Sequence, residues 1–154
     1  IPVQELLDTA GKYFKKSMKN RSEKIELEIE PMEAKVIGDV NQLRFLLENL
    51  IDEALTVRED GVIRLQARQD NEYIRFLFTD TRREKSVEEL NQLFYPNLAR
   101  MTSGEKGELR GTEYLICKQI IRDHDEFAGR RGCRINAELA EGGGFTVYFT
   151  VPRR

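Results

Sequence analysis

The chain carries a single histidine and two cysteines among its 154 residues. The one imidazole, His124, is too few for a histidine metal cluster, and on the helix expected around it no histidine-based triad can be built. Cys117 and Cys133 are too few for a disulfide framework or a zinc cluster. Cys117 falls among apolar residues of an expected helix and reads as a small buried thiol, which suits a reducing, cytoplasmic setting. No apolar run approaches the roughly 20 residues of a membrane-spanning helix, and no signal-peptide pattern opens the chain. An excess of one charge is lacking too. Basic residues number 25 and acidic ones 27, a net charge of -2, which gives no bulk attraction to nucleic acid or to an anionic membrane. Internal repeats and low-complexity linkers are also missing, so residues 1–154 read as one domain with its own core. Opening on Ile1 rather than Met is the pattern of a piece excised from a longer protein.

What is present is hydrophobic periodicity. "PVQELLDTAGKYFKKSMKN" places Val3, Leu6, Leu7, Ala10, Phe14 and Met18 at helical spacing. "KIELEIEP" alternates strictly and predicts a half-solvated strand ended by Pro31. A short strand, "KVIGD", is expected next. From Val40 to Leu55, Leu43, Leu46, Leu47, Leu50, Ile51, Ala54 and Leu55 form an unbroken apolar stripe, with Asn49 and Glu53 stacked on its flank. Two strands come after it, "GVIRLQAR" and "YIRFLFTD", the second apolar enough for a central position. Between Thr81 and Gly111 the reading is irregular chain apart from a short helix, Val87 to Phe94, with "TSGEKGELRG" as a mobile loop. A helix over Thr112 to His124 and a hairpin of "CRINAELA" and "FTVYFTVP" joined by "EGGG" complete the chain. The expected fold is α+β: a two-layer sandwich of one mixed, mostly antiparallel sheet with helices on a single face.

The order of these pieces, from about Val3 to Pro152, resembles the catalytic and ATP-binding domain of sensor histidine kinases, the Bergerat fold shared with gyrase and MutL. "GDVNQLRFLLENLIDEAL" is similar to the N box, "FTDT" to the start of the first glycine box, and "LFYPN" to the phenylalanine box. "RGTEYLICKQIIRDH" is similar to the second glycine box and its helix. The resemblance implies ATP and Mg²⁺ as ligands, with Asn49, Glu53, Asp80, Thr81 and Gly111 at the nucleotide and Asn49 and Glu53 at the metal.

At the same positions the chain departs from the pattern. Glu53 stands where the family has the metal-holding asparagine. A carboxylate can ligate Mg²⁺, but without metal it repels a triphosphate. Asp80 matches the acid that accepts from the adenine amino group, with Thr81 beside it. Arg82 and Glu84 replace glycines whose missing side chains allow close backbone approach. Glu113 replaces the second glycine after Gly111, in the first turn of a helix whose N–H groups would otherwise meet phosphate.

Two functional expectations result. In one, the domain is a degenerate, non-catalytic signalling module. Arg82 and Arg83 then pair with Glu53 or Glu113, Glu113 supplies its own anion, and the cleft closes with no cofactor. The module works by contact with a dimerisation helix or a response-regulator receiver domain. In the other, it is an active divergent kinase domain that passes the ATP γ-phosphate to a histidine elsewhere. Neither involves nucleic acid or direct membrane contact, and both suit a cytoplasmic setting, including the cytosolic part of a membrane-anchored sensor. Simpler readings apply nearby: Lys106 and Arg110 as surface charges, Asp80 as a strand-end cap, and the arginines of "DEFAGRRGCR" as a solvated loop.

Overall fold

The computed structural model describes residues 1–95, 102–103, 109–110, 113–128 and 132–154. Its first helix, α1 (Val3–Met18), buries Val3, Leu6, Leu7, Ala10 and Phe14, the positions its periodicity marks. Strand β1 (Ile25–Ile29) comes next. Helix α2 (Val40–Ala54) starts on Asp39, whose side chain accepts from the N–H groups of Asn41 and Gln42 and so caps two orphan donors. Strands β2 (Gly61–Asp70) and β3 (Tyr73–Asp80) form a hairpin turned at Asn71, which has φ 56°. Then come α3 (Val87–Gln92), a two-residue pair β4 (Thr102–Ser103) and β5 (Leu109–Arg110), α4 (Glu113–Ala128), β6 (Ile135–Leu139) and β7 (Phe145–Pro152).

Five strands make one sheet in the order β1-β2-β3-β7-β6. Only β1 and β2 run parallel; the other pairings are antiparallel. Strand β3 is central, as its apolar content requires. Alternation along the strands sets two faces. Ile63, Leu65 and Ala67 of β2, Ile74, Phe76 and Phe78 of β3, and Val147, Phe149 and Val151 of β7 are buried on the helix side. Arg64 and Arg68 of β2 stay exposed on the other side. Phe76 and Phe149 are register partners, and their rings stack 4.9 Å apart at the middle of this core.

Three expectations change. Lys35 and Val36 form isolated bridges, to Pro2 and Arg153, instead of a strand, because Gly38 and the Asp39 cap turn the chain into α2 at once. The stretch before Gly111 is not all irregular, since Thr102–Ser103 pairs antiparallel with Leu109–Arg110; the "GEKG" segment expected to be mobile lies outside the described residues. Helix α3 stops at Gln92 and starts on a capping box, with Glu89 N–H donating to Ser86 Oγ and Ser86 N–H to Glu89 Oε1, both 3.1 Å. That bond from the Ser86 N–H holds the Glu89 carboxyl below its ordinary range.

The turn between β6 and β7 packs against the end of β3. Gly142, Gly143 and Gly144 all have positive φ, of 85°, 109° and 82°. A Cβ on Gly144 would sit 2.1 Å from the Asp80 carbonyl oxygen, so no side chain fits between this turn and the strand end.

Replacing Gly144 with alanine adds both a backbone clash and left-handed strain. It should destabilise the domain by at least about 2 kcal/mol, lowering the thermal midpoint by roughly 4 °C or more. Gly142→Ala meets nothing within 4 Å and should cost clearly less. A second test concerns α1 against α2, joined by the Tyr13 hydroxyl donating to Asp52 Oδ1 at 2.6 Å. Burial first, then this bond and the Asp52 charge, push the Tyr13 phenol up. A folded-state pKa above the unfolded one makes this contribution complete below pH about 10 and lost as pH rises beyond it. Tyr13→Phe should cost about 1 kcal/mol at neutral pH and flatten the loss of stability above pH about 10, read by denaturant melts.

Candidate functional site

Strand β3 ends at Asp80, between Ile63 of β2 and Phe145 of β7. Its carboxylate is buried, and both its oxygens are engaged by one residue. Oδ1 accepts from the Arg82 backbone N–H at 3.0 Å and from Nε at 2.9 Å, while Oδ2 accepts from Nη2 at 2.9 Å. The far side of the guanidinium is equally engaged. Nη1 donates to the carbonyls of Val57 and Glu59, both at 3.0 Å, and Nη2 to that of Ala54 at 2.6 Å. An arginine has five guanidinium N–H donors, and each has an acceptor here.

This closure explains how a full positive charge stays inside. The Arg82 side chain is 1 % exposed and that of Asp80 5 %. A buried guanidinium is tolerated when a carboxylate pairs with it and its remaining donors are satisfied. Ala54 and Val57 lie at the carboxyl end of α2, where the last carbonyls have no intrahelical partner and a cation is favoured. Arg82 therefore caps α2 as well as pairing with Asp80. Backbone geometry makes room for it: Gly61 has φ 147°, and a Cβ there would lie 2.5 Å from Arg82 Cγ. Thr81 is held apart from this pair, its hydroxyl donating to the Val62 carbonyl at 2.6 Å.

The pairing of Arg82 with Glu53 or Glu113 expected from sequence is thus corrected. The fork goes to Asp80, two residues away, because the chain doubles back at Thr81 and points the side chain under the end of α2. Arg83 is exposed, and no ion pair is seen for it among the described residues.

Glu53 is near the end of α2 and Glu113 at the start of α4, and the charges of both reach Cys117. Burial first, and then the charges of Glu113 and Glu53, push the Cys117 thiol up. Glu113 occupies the first turn of α4, and its Oε2 is buried without a hydrogen-bond partner. Asn49 is buried and donates Nδ2 to the Phe45 carbonyl of its own helix at 2.8 Å. The described residues gather no set of three histidine, cysteine or acidic ligands for a metal.

Gly111 and Lys106 lie outside the described residues, as does the side chain of Arg110. Of the phenylalanine box, Phe94 is seated edge-on against Tyr114 at 5.6 Å, and Lys118 of α4 donates to its carbonyl. His124 is buried between backbone groups: Nδ1 lies 2.8 Å from the Ile120 carbonyl, and Nε2 accepts from Asp39 N–H at 3.0 Å. It joins the carboxyl end of α4 to the start of α2. Sequence reasoning missed the three carbonyls that Arg82 caps, although Gly61 at the head of a strand was a signal that something packs there.

The fold has counterparts among solved structures, while no curated protein matches the chain. The mycobacterial sensor histidine kinase MprB superposes with TM-score 0.75 at 19 % identity, covering 100 % of this chain and 96 % of that one. The catalytic domain of histidine kinase ThkA gives 0.75 at 21 %, over 99 % and 93 %. The ATP-binding domain of PrrB from Mycobacterium tuberculosis gives 0.71 at 15 %, over 100 % and 96 %. These likenesses carry the fold. Among the described residues no helix is long and apolar enough to cross a membrane. The family model for histidine kinase-, DNA gyrase B-, and HSP90-like ATPases matches residues 38–154, most of the length, and the chain belongs to that family.

Proposed function

We propose that this chain is a histidine-kinase-like signalling module in which Arg82 fills the adenine end of the cleft, and that it acts through protein contacts without binding ATP. One observation carries the reading. The carboxylate expected to accept from adenine is buried and engaged on both oxygens by Arg82. A nucleotide would have to displace a side chain whose donors all have acceptors, leaving a buried guanidinium with broken bonds.

The other end of the cleft supports the same reading. Glu53 and Glu113 stand at positions that the family resemblance assigns to metal and phosphate, and two carboxylates there would repel a triphosphate unless metal intervenes. On this reading the residues present do not fit the family's nucleotide. Partners of the expected kind have a precedent in the fold: ThkA has been crystallised in complex with the response regulator protein TrrA. By this reading a dimerisation helix or a receiver domain is the contact of this module.

A second reading has two observations in its favour. ShkA is seen with AMPPNP bound, and the buried, unpartnered Oε2 of Glu113 is the kind of oxygen that a divalent cation would satisfy. On that reading Asn49, Glu53 and Asp80 hold Mg-ATP in a divergent kinase domain.

Thermal melting separates the two. A ligand at 100 times its dissociation constant adds about 2.7 kcal/mol, a rise of roughly 5 to 10 °C for a chain of this size. No rise is expected with millimolar Mg-ATP; a clear one would sink the closed-cleft reading. Arg82→Ala should cost about 3–5 kcal/mol by stranding Asp80, and adding Asp80→Ala should recover part of that. Simple additivity of the two substitutions in denaturant melts would show that the pair is not coupled.

A further inference from the structure

A second feature is the outer edge of the sheet at β1. β1 is the first strand in the order and has a sheet neighbour on one side only. Two bonds show how its backbone is used. Gly61 N–H donates to the Lys24 carbonyl at 3.0 Å, and Glu30 N–H to that of Leu65 at 3.1 Å. In the parallel ladder between them, residues 24, 26, 28 and 30 therefore face β2. The N–H and C=O groups of Ile25, Leu27 and Ile29 point away from the sheet, and no partner meets them among the described residues.

Helix α1 runs beside this free edge. Gly11 lets it approach closely, since a Cβ there would lie 3.0 Å from Ile29 Cδ1. A groove of about 650 Å³ remains between helix and strand. Lys12 and Lys15 stand on its helix wall, Phe14, Leu27 and Ile29 supply its apolar surface, and Glu26 lies on the strand side. A free strand edge beside a helix, with apolar side chains between them, is the arrangement used for peptide recognition by strand addition.

We propose that this groove takes an extended segment of another polypeptide as an added strand next to β1, and that the segment alternates apolar with basic residues. Alternate side chains of an added strand fall on the two faces of the sheet. Those on the helix side meet the half-buried Leu27 and Ile29, which favours apolar residues. Those on the other side meet Glu26, Glu28 and Glu30. Glu28 and Glu30 are already paired with Arg64 and Arg68 of β2, at 3.0 and 2.9 Å. Glu26 faces Val62 and makes no ion pair among the described residues, so it is the acid left for an incoming cation. A second copy fits poorly. Pairing "IELEI" with itself sets glutamates opposite glutamates, which is destabilising.

Amide hydrogen exchange tests this, with a blocked peptide of alternating valine and lysine as probe. The peptide is expected to slow exchange at Leu27 and Ile29, while the residue 26 and 28 amides, already in the ladder, change little. Methylating its strand-facing N–H groups should weaken binding by about tenfold or more. Glu26 is exposed, so Glu26→Lys keeps the fold, and it should shift preference towards an alternating valine–glutamate peptide. Absence of protection at Leu27 and Ile29 would overturn the proposal. So would indifference to methylation, since the contact would then be ionic alone. Protection that appears without peptide and grows with protein concentration would assign the edge to a second copy and overturn it equally.

Discussion

A charge taken out of water must find its whole hydration shell again inside the protein, and Arg82 is where this domain meets that demand. Its guanidinium draws together the Asp80 carboxylate, the carbonyl end of α2 at Ala54 and Val57, and the Glu59 carbonyl just before β2. Each contact depends on the others. Removing the carboxylate would leave a buried cation, and moving the carbonyls would leave N–H groups unmet. The neighbouring backbone is shaped accordingly, with Gly61 lying against the Arg82 side chain and Gly144 against the Asp80 carbonyl. Asp80, the acid that the family resemblance assigns to adenine, is bound into the fold on both of its oxygens.

The two helices behind the cleft are tied at both ends, with different chemistry. At one end His124 of α4 accepts from the Asp39 N–H at the start of α2, a hydrogen bond between backbone and ring. At the other, burial and the charges of Glu113 and Glu53 raise the pKa of the Cys117 thiol. Apolar packing of Leu46, Leu47, Leu50, Cys117, Ile120 and Ile121 lies between. The sheet shows a similar division. Its helix side is a continuous apolar layer, while its other side carries cross-strand pairs such as Arg64–Glu28 and Arg68–Glu30, exposed enough to contribute little to stability.

Much of the architecture was legible from residue order. The stripe through Leu43, Leu46, Leu47, Leu50 and Ile51 could only be a buried helix face, and the run in β3 could only be central. Two further signals are weaker because they are short. Ser86 with Glu89 has the spacing of a capping box, and the paired residues on either side of "GEKG" make only a two-residue ladder. The site was less legible. Asp80, Arg82, Glu53 and Glu113 stood out as departures from a family pattern, yet charge alone put Arg82 on the wrong acids.

The sequence by itself determined the fold class, the element order and the core, because periods of 3.6 and 2 residues already state which face of each element leaves water. It also determined that charged residues stand where the family it resembles has glycines. Only the tertiary structure decided where that charge goes. Three of the acceptors of Arg82 are backbone carbonyls, which every residue has and no residue letter distinguishes. Their use depends on the end of α2 arriving beside the end of β3, across 28 residues of chain.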